Sequence, residues 1–248
     1  MQINWPLIIV LFCLALPGVF IAVPRLINLL LPNNSEELKK RVSRLGIAQT
    51  LFMVFLMAMG GSVLSLKTGL NAPVLDAMLQ GKPVFDQIQA MLLPVFLMTV
   101  GGLLIFFFLY YGLVASILDT ETFQIMRKLR AVVGVDGCIL YGGVVEEIIA
   151  RWGLINVTAF FAILLAHQKN SFIVWSAIVL SGLILALVQL PVYIAAGCQS
   201  SRRFIYSMLL LYAWQAILFG WIFWQFGLLA GIAAHMLFHV GWYLYDRT

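Results

Sequence analysis

The chain has 248 residues, of which 63% are hydrophobic and only 10% charged, with a net charge of +5. Several apolar runs reach the roughly 20 residues that a membrane-crossing helix requires, which excludes a soluble globular protein. The basic residues gather in short loops between those runs, where they orient a membrane protein, so no nucleic-acid partner is implied.

The first apolar run, in "MQINWPLIIVLFCLALPGVFIAVP", has no basic residue ahead of it and no small-residue cleavage site, so a retained span is expected rather than a removed leader. Further spans are expected at 45–66, 88–118, 144–167, 172–197, 204–224 and 226–245, after the first at 4–31. All are expected to be helices, because backbone facing lipid must satisfy its hydrogen bonds within its own segment. The fold class is therefore an all-α polytopic membrane protein, a bundle of seven transmembrane helices with eight as the alternative. One domain covers residues 1–248, placed as a multi-pass protein of the plasma membrane in contact with the lipid bilayer. Cys13, Cys138 and Cys198 stand apart, without the spacing of a metal site or a disulfide framework.

The ambiguous stretch is "AVVGVDGCILYGG", residues 131–143, apolar yet carrying Asp136 and four glycines. It reads either as a short extra span or as a re-entrant lead-in. If it does not cross, the loops with Lys39, Lys40, Arg41 and Arg44, with Arg127, Lys128 and Arg130, and with Arg202 and Arg203 share one side with Arg247. Seven spans then satisfy the positive-inside rule, with the N-terminus outside and the C-terminus cytoplasmic.

Charge inside the spans is concentrated in "GGVVEEIIARWGLI", residues 142–155. A charged side chain at the centre of a membrane helix costs about 2.5–3.5 kcal/mol on insertion scales, so three together require pairing or hydration. Glu147 and Arg151 are four residues apart with the acid on the N-terminal side, the favourable order for an ion pair on one helical face. Glu146 is turned about 100° away and keeps a separate carboxylate. An interfacial turn with solvated acids is the plainer alternative. The last span, "FGLLAGIAAHMLFHVGWYLY", places His235 and His239 at i and i+4 in mid-span, so both imidazoles share a face. Two such histidines and a spare carboxylate suggest a polar pocket for catalysis or metal. His167, beside Gln168 and Lys169, is expected at an interface.

These residues resemble the CAAX protease and bacteriocin-processing (CPBP, or Abi) family of intramembrane proteases. Its pattern is E-E-x-x-x-R on one helix, F-x-x-x-H on a second, and H-x-x-x-N or H-x-x-x-D on a late helix. Glu146, Glu147 and Arg151 correspond to the first element and His235 to the third. The resemblance covers roughly residues 140–245, the catalytic core, with residues 1–130 as additional N-terminal membrane helices. Two departures stand out: in "LILALVQLPVY" Leu185 takes the place of the phenylalanine and Gln189 that of the histidine, and His239 stands where Asn or Asp is usual.

The resemblance implies an intramembrane endopeptidase that cleaves membrane-associated or lipidated peptides by glutamate-activated water, so the expected partner is a peptide or protein substrate in or at the membrane. Glu146 is cast as general base and Glu147, paired with Arg151, as its orienter. His235 and His239 are cast as carbonyl or oxyanion partners and Gln189 as an amide donor. No cofactor is expected; zinc is the metal the family leaves room for, although an amide at position 189 is a poor ligand. The alternative is a catalytically silent relative that binds a membrane peptide or protein, with a transporter and a purely structural protein as further readings.

Overall fold

The computed structural model describes residues 3–247. Among the described residues, seven helices are long and apolar enough to cross a membrane. In chain order these are α1 (Trp5–Leu30), α2 (Glu36–Thr68), α4 (Phe85–Ile117), α5 (Thr120–Ala166), α6 (Ser171–Ala195), α7 (Arg202–Phe226) and the last, α8 (Leu228–Arg247). The short α3 (Pro73–Leu79) lies in the loop between α2 and α4. No strand is present among the described residues. Apolar side chains such as Leu92, Leu165 and Phe172 face outward, as a lipid-facing surface requires.

Small polar side chains start most of the helices. Ser35, Asp119, Asn170 and Ser201 each accept a hydrogen bond from a backbone N–H of the first turn of α2, α5, α6 and α7. The carboxyl of Asp119 is held below its ordinary range by the hydrogen bond that it accepts from Thr122. With seven crossings, the α1–α2, α4–α5 and α6–α7 connections and the end of α8 lie at one end of the bundle, together with the basic residues of each. The backbone of Arg247 closes α8; its side chain lies outside the described residues.

Residues 131–143 are neither a separate span nor a re-entrant loop. They belong to α5, which is broken at Gly134, where φ is 77° and ψ 164°. Only glycine adopts such a backbone at little cost. The break divides α5 into an amphipathic lead-in, residues 120–133, and a long buried arm. The lead-in buries Thr122, Met126 and Leu129 and exposes Gln124, Arg127 and Lys128. Arg25 of α1 fixes the corner, donating from Nη1 to the Val133 carbonyl at 2.5 Å and pairing with Asp136 at 2.6 and 2.8 Å. The charge of Asp136, unexplained by composition, thus has a structural partner.

The arm of α5 runs through the centre of the bundle, and its middle, Cys138–Ile155, is wound as a π-helix. Small residues let the neighbours approach it closely, the usual means of helix association in a membrane. A Cβ on Gly18 of α1 would lie 2.5 Å from the Leu140 carbonyl oxygen, and one on Gly61 of α2 2.5 Å from the Trp152 ring. Trp152 donates its indole N–H to the Ala58 carbonyl at 3.1 Å. Near the far end of α5, Asn156 donates to the carbonyls of Trp152 and Leu70 and accepts from Thr68, tying α5 to the end of α2.

Two apolar cores flank this arm. One joins α1, α2, α5 and α6 around Leu11, Val145 and Ile148. The other joins α4, α7 and α8 around an aromatic stack in which Phe106 meets Phe238 and Trp242 edge-on at 4.9 and 4.6 Å. The seam between the cores holds the polar residues.

Candidate active site

The six candidate residues fall into two groups on opposite sides of the α5 surface. The first is sealed. Glu147, Arg151 and His235 are each no more than 1% exposed. Arg151 Nε lies 3.3 Å from Glu147 Oε1, and His235 Nδ1 lies 2.8 Å from the same oxygen. Arg151 also donates from Nη2 to the carbonyl of Gln215 at 3.1 Å, which ties α5 to α7. The His235 ring stacks on Phe219 at 4.1 Å between centroids. The second oxygen of Glu147 sits against Gly231, where a Cβ would come within 3.1 Å. One turn of α8 without a side chain at that position makes room for the carboxylate.

The second group faces a cavity of about 220 Å³. Glu146 is half-buried and is the one acidic side chain in the wall among the described residues. Gln189 of α6 donates from Nε2 to Glu146 Oε1 at 3.0 Å. His239 of α8 lines the same cavity, with its ring packed over Gly142 of α5. Tyr193 lies one turn beyond Gln189 on α6, and Tyr212 and Gln215 of α7 close the opposite side. Arg130 and Met126 of the α5 lead-in cover the end nearest the basic loops.

The division follows from helix geometry. Neighbouring residues on a helix point about 100° apart, so Glu146 and Glu147 cannot share one environment. His235 and His239 share a face, and their rings stack at 4.8 Å. Even so, their displacement of one turn along α8 puts His235 in the sealed group and His239 in the cavity wall. The tyrosines and Gln215 escape notice in the sequence because single polar residues inside apolar spans carry no spacing pattern. The one available signal is Tyr193 at i+4 from Gln189.

Residues 130–241 match the Rce1-like family, the type II CAAX prenyl endopeptidases. Over that stretch the match supports a kinship with the CAAX-protease family. The match spans the α5 arm, α6, α7 and most of α8, so it contains all six candidate residues. Protease activity is thereby implied at the level of the family. No curated protein and no solved structure matches the chain.

Among the described residues no three His, Cys, Asp or Glu side chains come together as a metal-holding group. In the cavity Glu146 faces the amide of Gln189, and His235 is engaged by Glu147 outside the cavity wall. An amide offers zinc a poor ligand, so these residues do not fit that ion.

Proposed function

We propose that the chain is an intramembrane endopeptidase that hydrolyses a membrane-associated or lipidated peptide in the cavity beside Glu146. The observation that carries this reading is the placement of Glu146: a carboxylate within the bilayer, facing a cavity large enough for a peptide segment and a water, and held by one amide through one oxygen. A buried carboxylate used only for packing would be expected to pair with a cation, as Glu147 does with Arg151.

In this reading Gln189 fixes Oε1 of Glu146 and the other carboxylate oxygen takes a proton from water. The water oxygen bonds to the scissile carbonyl carbon, and the carbonyl π electrons move to its oxygen. His239, with support from the cavity hydroxyls, donates a hydrogen bond to that oxyanion. The proton on Glu146 passes to the amide nitrogen, the oxyanion electrons re-form the carbonyl as the C–N bond breaks, and a carboxylic acid and an amine are released, the acid then giving its remaining proton to the amine. Glu147, Arg151 and His235 position the segment of α5 and α8 that carries Glu146 and His239. They touch neither water nor substrate.

The test is to incubate the purified protein in lipid with a library of lipidated and membrane-embedded peptides and to identify products by mass spectrometry. Cleavage by the parent protein that persists in strong chelators, and that falls about 10²–10⁴-fold in Glu146→Gln, is the expected result. Retained peptide binding with no product from the parent protein would replace this reading with that of a silent peptide-binding relative. Chelator inhibition reversed by zinc would overturn the mechanism.

A further inference from the structure

A second hollow of about 460 Å³ lies outside the catalytic cavity, between the α5 lead-in and the end of α8. Arg127, Lys128 and Arg130 line it, facing a single carboxylate, Asp246. That carboxylate is already engaged: it accepts the hydroxyl of Tyr111 and pairs with Arg130, while Arg127 Nη2 stands off at 3.9 Å. Arg130 is further fixed with its guanidinium 3.7 Å from the centre of the Trp242 ring. Arg127 is half-exposed, and among the described residues Lys128 forms no ion pair. Two cations therefore remain beside a rigid, neutralised floor. Arg127 has only a distant share of Asp246, and Lys128 has no anion partner among the described residues.

The position of the hollow says which anion fits. It lies at the end of the bundle that carries the basic loops, where an amphipathic lead-in meets the end of a spanning helix. Val240 and Leu244 are exposed on α8, one turn before and one residue after Tyr243 of the hollow's wall, and so offer apolar surface beside it. A phosphate bound to Arg127 and Lys128 with acyl chains along that surface would match the polar and the apolar part together. We propose that this hollow is a binding site for the phosphate of an anionic membrane lipid. Arg130 and Cys138 line both this hollow and the catalytic cavity, so the bound lipid would brace the wall that separates them.

The site can be tested on the full-length protein without reference to proteolysis. The protein is placed in phosphatidylcholine nanodiscs with or without phosphatidylglycerol, and retained lipid is counted by native mass spectrometry alongside thermal unfolding. One phosphatidylglycerol is expected to be retained in preference to phosphatidylcholine, with a higher unfolding temperature. Replacing both cations (Arg127→Gln with Lys128→Gln) is expected to weaken that retention about 30-fold, while the unfolding temperature in phosphatidylcholine alone stays the same. Replacing Arg202 and Arg203 with Gln removes equal charge at the same end of the bundle and is expected to leave retention unchanged. Equal loss in both double variants, or no preference in the parent protein, would overturn the site. Displacement of the lipid by millimolar inorganic phosphate, with the same stabilisation, would reassign the anion to a soluble phosphate and overturn the lipid.

Discussion

Glu146 and Glu147 are consecutive residues of one helix, yet they inhabit different parts of the molecule. Glu147 is sealed between Arg151 and His235 without access to the cavity, whereas Glu146 faces the cavity with an amide as its partner. The sealed carboxylate is matched to a cation and the open one is not. In a membrane that contrast separates a group that holds helices together from a group available for chemistry, since unpaired charge persists in the bilayer only where water or substrate can reach it.

The contrast can be broken first at Arg151. Its removal leaves Glu147 with His235 as its remaining polar partner, and loss of one member of a buried pair costs about 3–5 kcal/mol. Arg151→Ala is expected to lower the unfolding temperature in detergent more than the double variant Glu147→Gln with Arg151→Leu. In the double variant the amide oxygen at position 147 still accepts from His235 Nδ1. A double variant as unstable as the single one would remove the ion pair from the account.

Gln189 tests the open side. Gln189→Leu deletes the hydrogen bond to Glu146 in a wall that already contains apolar residues, so stability should change little. Cleavage is expected to fall by about 10²-fold, the scale of loss when a reacting group is displaced by about 1 Å, because Glu146 loses the bond that orients it. A stability loss matching that of Arg151→Ala, with cleavage retained in the folded fraction, would make Gln189 a packing residue.

The smallest effect sharpens the boundary between the groups. A Cβ on Gly142 would meet the His239 ring, whose Cδ2 lies 3.0 Å from that position. Gly142→Ala is expected to cost about 1–3 kcal/mol by overpacking and to reduce cleavage through displacement of His239. The Glu147–Arg151 pair is left in place, so the change in unfolding temperature on removing Arg151 should be the same in the Gly142→Ala background. A smaller change would mean that the two groups are coupled through the stacked histidines.

The number and type of spanning elements were legible in the sequence because a bilayer imposes length and apolarity on each helix separately. The i and i+4 spacing of Glu147 with Arg151 and of His235 with His239 was legible for the same reason: it is a property of a single helix. The corner in α5 was not, since Asp136 and the four glycines read as a short extra span or a re-entrant lead-in. Arg25, more than a hundred residues earlier in the chain, settles the matter by capping Val133 and pairing with Asp136. Nor did spacing show that His235 belongs with Glu147, that His239 belongs with the cavity, or that Gln189 reaches Glu146. Those pairings depend on the relative height and rotation of α5, α6 and α8: close approach at Gly142, Gly143 and Gly231 sets α5 against α8, and Gly182 seats α6 on α7. One helix dictates which of its own side chains share a face; only packing between helices decides what that face meets.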